Sequence, residues 1–511
     1  MKNKILILIT FLIVLVSSCS KDFMKVNEVN PNSASSVAPQ LVLPAVQVAL
    51  AANLNDPNNY EFVNLWYGAY SISSSYSPNA PLIEYNITNT YYQGNWTNLY
   101  LCAGNLQSII DNSKAASERP YKGMARALKA FIFQILVDTY GDIPYSEAFQ
   151  SAKGILKPKY DNQQAIYEDL VSVCDSAIAD LQPSAVAVLP SATQDIMYAG
   201  DLTKWRHFAN TVKLRILMNQ SGMSGRAGYI TSNVTNSVGY IGLGEGAMVN
   251  PPYLKSANKQ SPFFDQWIDP AGNQRDGGLN YYVANQDIID FLVAKTADPR
   301  ISYYFDLGAT AGGVYVGAYY GQTANLPASG DFATISLTGM IKSFDQPAPI
   351  LTDMESLFLQ AEAAKLGFIP GGDVTAEANY RSAMEASFTY FGDADPATNS
   401  AAFIDNADAT NNQFASYSNA ADKINMLLSE KWATLSTISP MTVWTDYRRS
   451  GFPNFLHFSE KAAILGRNNP PVRLFYPQTE ISYNPDSEAA AEAANGGTMS
   501  LFTTKIFWQN R

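Results

Sequence analysis

Hydrophobic residues recur at helical intervals in several long segments of the chain. In residues 118–140 they fall at positions i, i+4, i+7, i+8, i+11 and i+12, which places them on one face of an α-helix. The residues on that face are Met124, Leu128, Phe131, Ile132, Ile135 and Leu136. Gly141 and Pro144 come next, and both residue types end helices.

The same periodicity predicts four consecutive pairs of helices. The predicted pairs are 92–111 with 118–140, 162–181 with 202–220, 353–366 with 374–390, and 421–437 with 440–449. Thr352 and Glu355 have the spacing of a capping box, and Gly367 is a stop signal. Helical hairpins with small residues at their crossings indicate tetratricopeptide-like packing. Because the spacing is irregular, the sequence favours one mainly α domain over residues 41–511.

Residues 240–349 have a different composition from the helical segments. They are rich in Gly, Pro, Asn and Tyr, and residues 286–295 are the one helix predicted there. Long irregular segments in compact proteins are usually functional or disordered, and the aromatic content here favours function. We therefore predict that residues 240–349 form a loop-rich insert that binds a ligand.

The N-terminus has the pattern of an export signal. Lys2 and Lys4 precede an apolar run over residues 5–16, which is shorter than the roughly 20 residues that span a bilayer. Ser17-Ser18-Cys19 then resembles a bacterial lipobox, which implies an acylated Cys19 at the mature N-terminus. We predict a signal peptide over 1–18 and a tether over 19–40. An ordinary signal with a chance cysteine is the alternative.

Composition and charge exclude several classes of function. The net charge is −11 and only 15% of residues are charged, which argues against nucleic acid because phosphates demand basic patches. With only His207 and His457, histidine-based metal sites are disfavoured. Cys102 and Cys174 lie in apolar helical stretches, so buried free thiols are favoured over a disulfide.

The sequence contains no P-loop, no His-Glu-x-x-His and no Gly-x-Ser-x-Gly motif. We predict no cofactor and no catalytic residue. A carboxylate pair for glycoside hydrolysis stays open, because the separation of such a pair is a three-dimensional property. A calcium site also stays open, although solvated loop acids are favoured for its candidate ligands, which are Asp393, Asp395, Asp405, Asp408 and Asn411.

Aromatic residues are abundant, with Tyr 30, Phe 25 and Trp 7. Tyrosine combines a rigid apolar face with a hydrogen-bonding tip, which suits recognition surfaces, and core filling is the alternative role. The rings predicted to contact a ligand are Tyr76, Tyr91, Tyr92, Trp96, Phe264, Trp267, Tyr281, Tyr282, Tyr319 and Tyr320.

Several blocks together resemble the SusD/RagB family of Bacteroidetes surface lipoproteins. Cys19 is followed by Lys21-Asp22-Phe23 and an Asn/Pro-rich tether. The further blocks are 137–145 (VDTYGDIPY), 204–215 (KWRHFANTVKLR), 354–363 (MESLFLQAEA), 430–432 (EKW), 444–451 (WTDYRRSG) and 476–480 (YPQTE). They occur in order from the tether nearly to the C-terminus, and together they are very specific.

The resemblance implies a SusD-like fold of four tetratricopeptide-like hairpins with a loop-rich face that captures a nutrient. It further implies an outer-membrane lipoprotein without catalytic activity that acts as a lid on a SusC-like TonB-dependent transporter. The usual ligands of the family are oligosaccharides, and some members take peptides. None of the family blocks lies in residues 240–349, so the resemblance assigns no ligand contact there. A surface glycoside hydrolase or peptidase is one alternative, and a structural scaffold for other surface proteins is another.

Overall fold

The computed structural model describes residues 38–275, 278–295, 298–406 and 410–509. The α-helices are α1 Pro39–Asn55, α2 Glu61–Trp66, α3 Ala80–Ile83, α4 Gln93–Asn112, α5 Arg119–Tyr140, α6 Gln163–Asp180, α7 Leu202–Met218, α8 Ala227–Asn233, α9 Pro262–Trp267, α10 Gln286–Val293, α11 Arg300–Tyr304, α12 Asp353–Lys365, α13 Gly372–Phe391, α14 Pro396–Ile404, α15 Ala420–Leu435, α16 Pro440–Ser450, α17 Glu460–Ile464, α18 Gln478–Tyr483 and α19 Pro485–Ala494. The predicted signal peptide and Cys19 lie outside the described residues.

The β-structure consists of short antiparallel pairs. The strands are β1 Tyr70–Ile72, β2 Ile143–Pro144, β3 Tyr160–Asp161, β4 Ala247–Val249, β5 Tyr282–Ala284, β6 Phe305–Asp306, β7 Thr334–Ile335 and β8 Ala348–Leu351. The pairs are β1 with β5, β2 with β3, β4 with β8 and β6 with β7. Helices therefore dominate the fold, as the sequence predicts.

The four predicted helical hairpins are confirmed. α4 packs on α5, α6 on α7, α12 on α13 and α15 on α16, and contacts of α5 with α6 and of α12 with α15 join neighbouring hairpins. Asp201 begins α7 by accepting hydrogen bonds from the backbone amides of Thr203 and Lys204, as expected of an N-cap. Trp205 on α7 is fully buried, as its position on the apolar face predicts.

Helix α5 differs from the prediction of a single apolar face. Almost every residue from Pro120 to Tyr140 is buried, including Gln134 and Asp138. The reason is that α5 packs against α4 on one side and α6 and α7 on the other. A helix surrounded by other helices is buried on all faces, and α5 therefore lies at the centre of the bundle.

Buried ion pairs connect the sequence blocks that resemble the family. Arg449 in α16 donates to both carboxylate oxygens of Glu362 in α12, each at 2.6 Å, and to Asp446 at 2.6 Å. Lys431 in α15 lies 2.8 Å from the same Asp446 carboxylate. Buried charges are tolerated when they are paired, and this cluster connects three helices.

A second buried cluster connects the 240–349 insert to the helices. Glu430 in α15 lies 2.6 Å from Lys295 and 2.8 Å from Arg300, and Arg300 also lies 2.7 Å from Asp298. The partners of Glu430 come from the insert, so this part of the insert is held against the third and fourth hairpins.

The prediction of one helix within residues 240–349 is wrong in one respect. α10 is confirmed, but α9 and α11 add short helices, and β4, β5, β6, β7 and β8 begin in this segment. α11 has five residues and α9 has six, too few for an amphipathic period to stand out in the sequence.

Cys102 and Cys174 are buried and free, as predicted. In the described part of the chain, none of the helices has the length and apolar character needed to cross a membrane.

Candidate functional site

The β1–β5 ladder brings predicted rings from residues 76–96 together with predicted rings from the 240–349 insert. Tyr70 pairs with Ala284 and Ile72 with Tyr282, and the backbone amide of Ser73 donates to the carbonyl of Tyr281 at 3.0 Å. The chain leaving β1 therefore runs beside the chain entering β5. This register places residues that follow Ser73 next to residues that precede β5.

Tyr76 and Tyr281 form the most exposed part of this junction. Their ring centroids lie 5.5 Å apart with an interplanar angle of 76°, an edge-to-face contact. Tyr76 is 39% exposed and Tyr281 is half-buried. Tyr281 also contacts the buried ring of Tyr282 at 4.9 Å, so a well-packed ring supports the exposed pair.

Asn79 links this pair to the start of α4. Its side-chain oxygen accepts a hydrogen bond from the Tyr91 hydroxyl at 3.3 Å, and its backbone amide interacts with the hydroxyl of Tyr281. Tyr91 contacts Tyr92 at 5.8 Å between ring centroids. We call the half-buried and exposed rings Tyr76, Tyr91, Tyr92 and Tyr281 the tyrosine surface.

Glu61 is the carboxylate beneath the tyrosine surface. The Tyr282 hydroxyl donates to Glu61 Oε1 at 2.7 Å. Burial raises the pKa of Glu61, and the hydrogen bond from Tyr282 partly offsets this rise. Burial raises the pKa of the Tyr92 and Tyr320 hydroxyls, and the negative charge of Glu61 adds to both increases.

Two of the predicted rings support the surface from below. Trp267 is fully buried and contacts Tyr282 at 5.8 Å and Tyr70 at 6.4 Å. Tyr320 is also buried. In this conformation both rings pack in the core under the surface.

Tyr319 lies at a separate polar cluster. Its ring stands 4.1 Å from that of His457, and its hydroxyl donates to Asp290 Oδ2 at 3.1 Å. His457 Nδ1 in turn lies 2.6 Å from Asp287 Oδ1. Burial, followed by the Asp290 charge, raises the pKa of Tyr319 to about 12. The Tyr319 hydroxyl is therefore neutral and hydrogen-bonding at physiological pH.

Trp96 lies one turn after Tyr92 on α4, and its ring packs into the bundle and not on the tyrosine surface. Its buried ring packs on Tyr100 at 4.8 Å and Tyr140 at 4.9 Å. It forms part of the wall of a cleft of about 660 Å³ together with the exposed Tyr483. Phe264 is half-buried on α9.

The structure therefore groups the predicted rings unequally. Tyr76, Tyr91, Tyr92 and Tyr281 form one surface with Tyr282, Tyr320 and Trp267 beneath it. Within the described ranges, the rings of Tyr319, Trp96 and Phe264 make no ring contact with those four. Sequence reasoning did not single out Glu61, Asn79, Asp287 or Asp290. His457 carried the one available signal, because the chain has only two histidines.

The candidate calcium ligands have other partners. Asp393 accepts hydrogen bonds from the Asp395 amide at 2.8 Å and from the Asn399 side chain at 2.7 Å, and Asp405 pairs with Arg381 at 2.7 Å. Asp408 lies outside the described residues. Within the ranges that the structure describes, no group of three or more His, Cys, Asp or Glu residues is arranged to hold a metal ion.

The tyrosine surface has the chemistry of a binding site for a polar organic ligand. Exposed rings can stack against the apolar faces of a ligand, while Asn79 and the tyrosine hydroxyls can exchange hydrogen bonds with its polar groups. The helical bundle stands behind this surface, so the structure is a mainly α protein with a loop-rich segment on one face.

The chain belongs to the SusD-like family. A family model described as "Starch-binding associating with outer membrane" matches residues 31–477, which is most of the chain. No curated protein matches the sequence.

Solved structures with the same fold come from Bacteroidetes. A SusD homologue of Bacteroides uniformis is 22% identical with a TM-score of 0.73, and the alignment covers 92% of this chain and 99% of that one. A Bacteroides vulgatus outer-membrane protein to which nutrient binding is attributed is 20% identical with a TM-score of 0.74, covering 93% and 100%. A chitin-binding SusD homologue of Flavobacterium johnsoniae is 19% identical with a TM-score of 0.74, covering 91% and 98%. At these identities the likeness establishes the fold.

Proposed function

We propose that this protein is a lipid-anchored receptor on the outer membrane that binds oligosaccharides and delivers them to a SusC-like TonB-dependent transporter. It performs no chemistry on the ligand. The observation that carries the proposal is the exposed Tyr76–Tyr281 pair, which stands beside Asn79 on a surface fixed by the β1–β5 ladder. Pyranose rings have apolar faces and hydroxyl edges, which match aromatic rings flanked by an amide and hydroxyls.

The family description favours a sugar over a peptide as the ligand. Starch binding is named for the family, and chitin binding is named for two solved structures with the same fold. Both polymers are built from pyranose rings. A peptide remains the alternative nutrient, because tyrosine surfaces also bind peptide side chains.

A titration against a panel of ligands tests the binding role. We expect maltoheptaose, chitohexaose or another neutral oligosaccharide to bind the purified protein saturably in calorimetry, and mixed tripeptide amides, which lack a C-terminal carboxylate, to give no heat. Binding of tripeptide amides without any oligosaccharide would contradict the sugar assignment. Chromatography of the same mixtures after prolonged incubation should return every ligand intact, and the appearance of shorter products would identify a hydrolase.

Capture of the tagged protein from membranes in mild detergent tests the delivery role. A TonB-dependent transporter should be enriched relative to an unrelated tagged lipoprotein. Equal recovery from both baits would contradict the transporter assignment while leaving the binding role intact.

A further inference from the structure

A cavity of about 500 Å³ lies beside α16, apart from the tyrosine surface. Its walls include the aromatic side chains Tyr67 and Phe502 and the two arginines Arg448 and Arg467. Asn468 and Asn469 are exposed at its edge. The cavity thus combines an aromatic lining with two guanidinium groups. Arg467 lies outside the sequence blocks that resemble the family, so the resemblance assigns it no role.

Arg448 is buried, with 3% of its surface exposed. Its Nη1 donates to the carbonyls of Asp138 at 2.7 Å and Val472 at 2.9 Å, and its guanidinium lies 3.7 Å from the centroid of the Trp444 ring. These contacts satisfy hydrogen-bonding groups and position the side chain. They do not supply a negative charge.

The adjacent arginine, Arg449, is also buried, but its charge is compensated by carboxylates. Arg449 is paired with the carboxylates of Glu362 and Asp446. Among the described residues, Arg448 forms no salt bridge within 4.0 Å. Burial lowers the pKa of Arg448 to about 10, whereas Glu362 and Asp446 outweigh burial and raise that of Arg449.

After burial, the charge of Asp138 has the largest influence on the pKa of Arg448. The Asp138 carboxylate, however, already accepts hydrogen bonds from other side chains. It accepts hydrogen bonds from the Tyr167 hydroxyl, from Trp508 Nε1 at 3.0 Å and from Asn219 at 3.3 Å. Burial raises the pKa of Asp138 to about 6 in spite of the nearby arginine. The Asp138 charge therefore compensates Arg448 only in part.

Arg467 adds a second positive charge with uncharged partners. Its Nη1 donates to the carbonyl of Glu84 at 2.8 Å and its Nη2 donates to the side-chain oxygen of Asn86 at 3.2 Å. In the described part of the chain it too forms no salt bridge. A chain with a net charge of −11 thus places two guanidinium groups without a paired carboxylate around one cavity. Arg448 is the one of the two that is removed from water, and an uncompensated buried charge is costly. Arg467 is partly exposed, and a bound anion would be shared between the two groups.

We propose that this cavity binds the carboxylate group of an extracellular organic ligand. A planar guanidinium matches a carboxylate in shape and hydrogen-bonding geometry, and the rings of Tyr67 and Phe502 provide an apolar contact for the body of the ligand. Asn468 and Asn469 are placed to interact with its polar edge. An acidic sugar and a peptide C-terminus both present this group. The site is separate from the tyrosine surface, so the test of this proposal is independent of the test of oligosaccharide binding.

Matched pairs of probes, in which one member carries an ionised carboxylate and the other carries a blocked, uncharged one, test the proposal. Trigalacturonate is compared with its methyl ester, and trialanine with trialanine amide, by calorimetry at constant ionic strength. We expect at least one acid to bind about tenfold or more tightly than its uncharged counterpart, as a charge-assisted hydrogen bond implies. Binding of trigalacturonate alone assigns an acidic sugar, and binding of trialanine alone assigns a peptide C-terminus. Equal affinity within each pair, or no binding of either acid, overturns the proposal.

Variants at the edge of the cavity connect the binding to this place. Arg467→Gln should weaken binding of the acid about tenfold, and Asn469→Asp should both weaken it and raise the melting temperature, because it supplies a carboxylate. Arg381→Gln, which removes an exposed arginine on α13, is the matched control and should bind as the wild type does. Circular dichroism verifies that each variant is folded. Wild-type affinity in folded Arg467→Gln would place the anion elsewhere and overturn the assignment.

Discussion

The edge of one aromatic ring meets the face of another where Tyr76 and Tyr281 come together, with their centroids 5.5 Å apart. Their segments lie far apart in the sequence and are joined by the β1–β5 ladder. The contact leaves Tyr76 39% exposed, so the pair is presented to solvent while being fixed from behind by Tyr282. Rigid aromatic groups lose little conformational entropy when they bind a ligand, which favours affinity.

Removal of the Tyr281 ring should weaken ligand binding without unfolding the protein. For Tyr281→Ala we expect a loss of about 1–2 kcal/mol of binding free energy for the oligosaccharide that binds the wild type, or roughly 5–30-fold in affinity. Calorimetry measures the change. Tyr483→Ala is the matched control, because Tyr483 is an exposed tyrosine in the separate cleft that contains Trp96. Equal losses in both variants would contradict the assignment of the ligand to the tyrosine surface.

Replacement of His457 by alanine should lower the free energy of unfolding, because it removes a contact with the buried carboxylate of Asp287. Asp287 is 2% exposed, and His457 contributes both its ring, at 2.6 Å, and its backbone amide, at 2.9 Å. His457→Ala removes the ring and leaves a buried carboxylate short of one partner, at a cost of about 1–3 kcal/mol in the free energy of unfolding. Urea denaturation at neutral pH measures it. His457→Gln can donate a hydrogen bond in the same place and should recover part of the loss, and equal stability of the alanine variant and the wild type would show that the contact contributes nothing.

The titration of the Asp138 carboxyl group should lower the free energy of unfolding as pH rises. Its pKa is raised from an ordinary value of 3.8 to about 6 because it is buried in the bundle. The folded state therefore holds this proton more tightly than the unfolded state. The stabilising contribution is complete below pH 4 and is lost as pH rises through 6.

Comparison of Asp138→Asn with the wild type isolates this effect. Between pH 3 and pH 8 the stability of the variant relative to the wild type should increase by about 3 kcal/mol, because the pKa rises from 3.8 to about 6 and each pKa unit corresponds to about 1.36 kcal/mol. Urea unfolding at several pH values provides the measurement. A stability difference that does not change with pH would show that Asp138 titrates alike in the folded and unfolded chains.

Cys19→Ala should release the protein from the membrane fraction. The prediction rests on the Ser17-Ser18-Cys19 sequence at the end of the apolar segment, since acyl chains supply the membrane affinity of a lipoprotein. Fractionation of cells that express each form, followed by immunoblotting, measures it. Ser17→Ala keeps the cysteine and a small residue, so this control variant should remain in the membrane. Recovery of the alanine form of Cys19 with the outer membrane would refute acylation as the anchor.

The long helices are predictable because their signals are local. The apolar stripe that contains Trp205, the cap at Asp201 and the stop at Gly141 each lie within one segment, and the structure places α7 and α5 within two residues of the predicted bounds. The central position of α5 is not predictable in this way. Its burial on all sides depends on which helices pack around it.

The tyrosine surface is predictable only in part. The abundance of tyrosine indicates recognition, but the contact of Tyr76 with Tyr281 depends on the register of two strands of three residues each. Strands this short carry no periodic pattern. The position of Glu61 beneath Tyr282 is likewise a result of long-range folding, because nothing in the sequence near Glu61 distinguishes it from the other acidic residues.

The buried ion pairs of Arg449 and Glu430 restrict which residues of this molecule can be substituted without loss of stability. Each charge in those clusters depends on a partner in another helix or in the insert, so a single substitution there leaves an orphaned charge. Tyr76 and Tyr281 contact each other, and Tyr281 also contacts Tyr282 and Asn79, whereas Arg449 pairs with Glu362 and Asp446. Under the proposed function, substitutions confined to the two loops that carry Tyr76 and Tyr281 would change the ligand preference and leave the buried ion pairs of the bundle unchanged. A library of variants in these loops is therefore the place to search for a receptor with a new specificity.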